Sequence, residues 1–198
     1  AVLCMKSVRS TAVAVSAITI AILQSGCSVE RKLERALGRI QATVVPIGTV
    51  KVNDVSWTEY AVIVGPREAL IMPGNLEPGQ SITVTLPDGS ECTGTAGERT
   101  RPGVLQRLIL DRDAPDYAPI APREKLRGIA VSFYNGSEPK RLFTRRLKGV
   151  RDGVVRLEGT ESSNVPVFTL DGDFVGMVYY LDLLGKEPCS WVAYAAKR

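Results

Sequence analysis

EGTESSNVPVFTLDGDFVGMVYYLDL, residues 158–183, is the stretch whose reading decides the fold. A polar turn from Glu161 to Asn164 leads into Pro166 and an apolar run. The run folds back on Asp171-Gly172 and resumes as FVGMVYYL. Proline is tolerated at the first residue of a strand, and Asp-Gly between two apolar runs is a strong hairpin signal. The stretch therefore reads as turn, strand, hairpin, strand. Ser163 lies in the turn. Its hydroxyl is either a nucleophile or an ordinary turn group bonding its own backbone. A serine hydroxyl needs a neighbouring base near neutral pH, and this chain contains no histidine.

The same strand-and-turn grammar extends outward. QATVVPIGTVKV and TEYAVIVGP are β-rich runs, and EALIMP is short and apolar. SITVTLPDGSECTGTAGE alternates through Ile82, Val84 and Leu86 into the turn Pro87-Asp88-Gly89, which predicts a hairpin. GVLQRLILD, LRGIAVSFYNG, KRLFTRRLKGV, GVVRLEG and CSWVAYAA continue the series. About a dozen short strands at regular spacing predict an all-β sandwich or barrel. Residues 112–126, with Pro115, Pro119 and Pro122, divide the strands into halves of similar size, 40–111 and 124–198. The chain of 198 residues allows one such domain. Asp171-Gly172-Asp173 has part of a calcium-loop pattern but lacks the remaining acidic ligands, so it reads as a turn. With no histidine and no CxxC, no metal or cofactor is expected.

Charge narrows the partners. The net charge is +4, and Lys6 and Arg9 supply two of it, too little to imply nucleic acid. The basic cluster Lys140, Arg141, Arg145, Arg146 and Lys148 reads as a solvated ribbon face, or as a contact for an acidic partner or anionic lipid.

Residues 5–27, MKSVRSTAVAVSAITIAILQSGC, have a basic start, an apolar run from Thr11 to Leu23, and small residues before Cys27. This is a secretory signal in form, and shorter than the roughly 20 residues of a membrane span. LQSGC resembles the lipobox of bacterial lipoproteins. That resemblance implies cleavage before Cys27 and lipidation of its thiol, although Gln24 stands where an apolar residue is usual. An unlipidated signal is the alternative. Residues 28–39, with Val29, Leu33, Ala36 and Leu37 at helical spacing, predict a short helical tether ended by Gly38. In an exported protein Cys92 and Cys189 pair or stay free; the spacing leaves both open.

Three passages give the order of elements a family resemblance. ALIMPGNLEPGQSITVTLPDGSECTGTAGE, GVLQRLIL and ESSNVPVFTLDGDFVGM together resemble the trypsin-like (chymotrypsin-fold) serine proteases, in particular their HtrA-like branch. The closing CSWVAYAAKR is similar to that family's last strand. The resemblance spans about residues 40–198 and implies two packed six-stranded antiparallel β-barrels, preceded here by the N-terminal signal or anchor helix. Pro166 aligns Ser163 with the nucleophile. Asn164 and Val165 then replace the two glycines that follow it. Glu161 falls at the glycine whose N–H would help form the oxyanion hole. The histidine position falls near Asn75 and the aspartate position near Gly103.

Asparagine cannot take the proton that the triad's imidazole takes and returns. A carboxylate at Glu161 has the wrong sign to stabilise an oxyanion. Ser163, Asn75, Gly103 and Glu161 are therefore read as a degenerate site with no working catalytic residue. The resemblance implies a groove beside the strand that carries Tyr179 and Tyr180, which alternate in facing. Ser163 and these two tyrosines are its expected lining. Trp57 and Trp191 read as core or half-buried strand residues. The expected protein is an exported, lipid-anchored pseudoprotease of the cell envelope. It would meet the membrane through its N-terminal segment and bind a peptide or protein, as edge strands can. A serine endopeptidase with a rearranged site, and a structural component of an envelope assembly, are the alternatives.

Overall fold

The computed structural model describes residues 31–52, 55–72, 76–98, 105–134, 141–151, 154–159, 164–182 and 189–195. Valine-rich β1 (Val44–Val52) and β2 (Val55–Gly65) form a long antiparallel ribbon. β3 (Glu68–Ile71), β4 (Ser81–Thr85), β5 (Glu91–Ala96) and β6 (Gln106–Leu110) complete the first sheet. Its order is β1-β2-β3-β6-β5-β4. The sheet curls so that its ends, β1 and β4, lie against each other. The expected hairpin joins β4 to β5. Asp88 Oδ1 accepts from the Ser90 amide at 2.9 Å and from its hydroxyl at 2.7 Å. Gly89 takes the left-handed φ of 82° that closes the turn.

A single 3₁₀ turn (Arg123–Lys125) leads into the second half. There β7 (Arg127–Tyr134), β8 (Arg141–Arg151), β9 (Val154–Glu158), β10 (Pro166–Thr169), β11 (Phe174–Asp182) and β12 (Cys189–Tyr194) close into a ring. The order is β10-β11-β12-β9-β8-β7, with β7 paired back onto β10. The chain is thus all-β with two six-stranded antiparallel barrels, as the strand count and the resemblance predict.

Each barrel has its own apolar filling. Val84, Leu108 and Leu110 lie in the first, and Val155, Leu157 and Val192 in the second. A third cluster lies between them, built from Val62, Leu70 and Met72 on one side and Phe133, Phe168 and Met177 on the other. The rings of Phe168 and Phe174 meet there at 5.4 Å, tilted by 53°. The proline-rich connection is sewn to both barrels. The Ala118 amide donates to Ile63 O at 2.9 Å, and the Ala121 amide to Phe174 O at 2.8 Å.

The first described segment departs from its expected role as a tether. Residues 31–41 are helical (α1) and run through Gly38. Ala36 and Ile40 are buried within the inter-barrel cluster, and Arg39 donates to Asp171 O at 3.2 Å. A glycine inside a helix costs about 1 kcal/mol, whereas burying an isoleucine returns about 1.5–3 kcal/mol. Packing therefore outweighs the local stop signal. The helix ends at Gln41, and the following turn closes at Thr43, whose amide and hydroxyl both donate to Ile40 O at 3.1 Å. Among the described residues no helix is long and apolar enough to cross a membrane.

Candidate functional site

Asn75, Gly103, Glu161 and Ser163 all lie outside the described residues, as does Cys27. Their neighbours fix the surroundings of the cleft. Met72, three residues before Asn75, and Leu105, two after Gly103, are both buried in the inter-barrel cluster. Val165, two after Ser163, is buried in the second barrel. Among the described residues of the inter-barrel cluster, only the phenols of Tyr60 and Tyr179 carry a titratable proton. An apolar surface of this kind holds two barrels together.

The turn after Ser163 is well defined at its far end. Asn164 has φ 65°, a left-handed conformation that asparagine tolerates better than other side chains. Its amide donates to Val178 O at 2.8 Å, and the Val178 amide donates to Val165 O at 3.0 Å. The turn is thus pinned to β11 next to Tyr179.

Tyr179 sits at an irregularity of β11. Val178 faces Val192 and Tyr180 faces Trp191, so the register shifts between them and Tyr179 is the extra residue. Such a bulge re-aims a side chain. Tyr179 is half-buried and packs against the inter-barrel cluster, and burial pushes its phenol above the usual tyrosine range. The Tyr180 and Trp57 side chains lie outside the described residues, while Trp191 is half-buried.

Gln106 is a fully buried polar residue that sequence reasoning did not single out. Its Nε2 donates to Leu76 O at 3.2 Å and to Gly97 O at 3.0 Å, while Oε1 is buried with no hydrogen-bond partner. It ties the backbone at Leu76 to that at Gly97. The signal was the alternation in QRLIL, where Gln106 shares the inward face of Leu108 and Leu110.

Two further expectations meet direct geometry. Cys92 is a free, buried thiol inside the first barrel, and burial pushes its pKa up. Cys189 is on β12 of the other barrel, so the disulfide considered from sequence is not formed. In the Asp171-Gly172-Asp173 turn the carboxylates face a lysine. Lys125 Nζ lies 2.7 Å from Asp173 Oδ2 and 3.1 Å from Asp171 Oδ2.

No family model matches the sequence, and no curated protein matches it. Solved structures do match. The Rv3671c protease from M. tuberculosis in its active form is similar over 81% of this chain and 79% of its own, at 15% identity and a TM-score of 0.60. Its inactive form is similar over 81% and 87%, at 15% identity and a TM-score of 0.56. At this identity the likeness carries the fold, the trypsin-like pair of barrels, and the fold alone does not assign an activity.

Proposed function

We propose that this chain is a non-catalytic, trypsin-like pseudoprotease domain that binds a peptide or protein partner. One observation carries the reading: the protease fold occurs here in 198 residues that contain no histidine. In that fold the imidazole takes the serine proton and returns it to the leaving group, and no other side chain titrates in the same range when unperturbed. The apolar flanks Met72 and Leu105 favour the same reading.

The reading is tested with a fluorophosphonate probe and a casein assay, on the wild type and on Ser163→Ala. The two proteins should give the same background. Labelling of the wild type that vanishes in Ser163→Ala would overturn the proposal. Export and lipidation at Cys27 belong to the same reading, supported by the basic, apolar and small-residue order of residues 5–27. Palmitate incorporation that is lost in Cys27→Ala is the expected outcome, and equal incorporation in both removes the anchor.

A further inference from the structure

The outer face of the second barrel carries a pocket of about 360 Å³, lined by Ile129, Thr144, Arg145, Arg146, Glu158 and Gly159. Ile129 is 46% exposed and Phe143 beside it 36%. The register sets Ile129 opposite Arg146, and Arg127 opposite Lys148. Like charges directly opposed across two strands cost stability. Arg145 and Arg146 share the pocket wall with one carboxylate, Glu158, whose Oε1 is 3.7 Å from Lys148 Nζ, and Arg127 lies across from that lysine on β7. Folding alone gives no reason to expose an isoleucine amid such a row.

One of the cations is held in place by the fold. The Arg145 guanidinium carbon lies 5.6 Å from the centroid of the Phe143 ring, within cation–π reach. Arg145 also donates to Thr144 O at 3.2 Å. Its Nε passes Gly159, where a Cβ would approach to 3.6 Å. Gly159 has φ 82°, so the backbone itself favours a residue without a side chain at that wall. A preordered guanidinium loses little freedom on binding and fits a carboxylate with two parallel bonds.

The geometry points to a docking site for an acidic peptide segment. One apolar side chain of the partner seats on Ile129. Its flanking carboxylates are taken by Arg145 and Arg146, and Arg127 and Lys148 extend the positive rim. This rests on the reading of the chain as a binding domain. An extended peptide suits the site better than a bilayer, because Glu158 would repel a continuous anionic surface but can be bypassed by a segment that alternates charged and apolar residues.

Fluorescence anisotropy of the full chain tests the assignment. The probe is a fluorescein-labelled synthetic peptide with a leucine between glutamate pairs; the control has lysines in place of the glutamates. Saturable binding of the acidic peptide alone is expected. Its affinity should fall about tenfold in Arg146→Glu and about fivefold in Ile129→Ser, and weaken with salt. Both changes are at the surface, so circular dichroism should match the wild type. No saturable binding, or affinity unchanged in both variants, overturns the assignment. So does co-sedimentation with phosphatidylglycerol vesicles that Arg146→Glu abolishes while the peptide never binds. Fluorophosphonate labelling with peptide affinity intact would sink the non-catalytic reading and leave the pocket standing. A clean probe result without peptide affinity would sink the pocket alone.

Discussion

The second barrel is a hydrogen-bonded ring, whereas the first is a curled sheet whose edge strands meet without a backbone ladder among the described residues. In the second, β7 and β10 pair through Val167 and Ser132 and their neighbours, so the backbone itself fixes the circumference. In the first, β1 and β4 are held together by what fills the interior, with Val84, Leu108 and Ile63 at its centre. A ring closed by backbone bonds has little room to shift. A roll closed by side chains can adjust by moving them.

Two glycines offer the most direct way to break this comparison. In the second barrel a Cβ at Gly176 would lie 1.9 Å from Ala193 O, a backbone atom of the neighbouring strand. The residue also has φ 157°. Gly176→Ala should therefore cost more than about 4 kcal/mol and leave little folded protein. In the first barrel a Cβ at Gly94 would meet Leu108 Cδ2 at 2.7 Å and Cγ at 2.8 Å. These are side-chain atoms, and Gly94→Ala should cost about 1–3 kcal/mol as the leucine turns aside. Urea denaturation of both variants measures the pair. Equal losses would mean that the first barrel is as rigid as the second.

Gln106 sharpens the same contrast on the polar side. It bridges Leu76 O and Gly97 O from inside the first barrel. Gln106→Leu leaves both carbonyls without that donor, yet also removes the buried Oε1 that has no partner. The two effects oppose each other, and a net loss of about 1–2 kcal/mol is expected in a urea titration. A gain in stability would mean that the bridge serves the cleft and not the fold.

Much of the architecture was legible because it depends on local grammar. The alternation of Ile82, Val84 and Leu86 before Pro87-Asp88-Gly89 encoded the β4–β5 hairpin, and Asp171-Gly172 encoded the β10–β11 turn. The cleft was harder to read, because its features come from pairing and packing between distant segments. The bulge that turns Tyr179 inward exists only relative to the register of β12. The burial of Ala36 and Ile40 needs both barrels as partners, which a helical pattern cannot reveal by itself. The left-handed φ of 65° at Asn164 is likewise a feature of the folded turn that its sequence position alone does not give.

The smallest predicted effect contrasts one ion pair from each barrel. In the first, Arg107 Nε and Nη2 meet Glu68 Oε1 and Oε2 at 2.6 and 2.9 Å. In the second, Lys125 bridges Asp173 and Asp171. Both cations are solvent-exposed, so Arg107→Met and Lys125→Met should each cost only about 0.2–1 kcal/mol at neutral pH. The hydrogen bond to Glu68 raises the arginine pKa, and the bonds to Asp173 and then Asp171 raise that of the lysine. A cation whose folded pKa is raised stabilises fully below its unfolded value, and the gain fades as pH climbs through the folded one. For Lys125 that fading starts above the ordinary lysine range, and for Arg107 above the still higher arginine range. Urea titrations from neutral pH to about pH 11.5 should therefore show the wild type converging on Lys125→Met while its margin over Arg107→Met holds. No margin over Lys125→Met even at neutral pH would mean that the bridge of the second barrel, unlike its backbone ring, adds nothing to the closure.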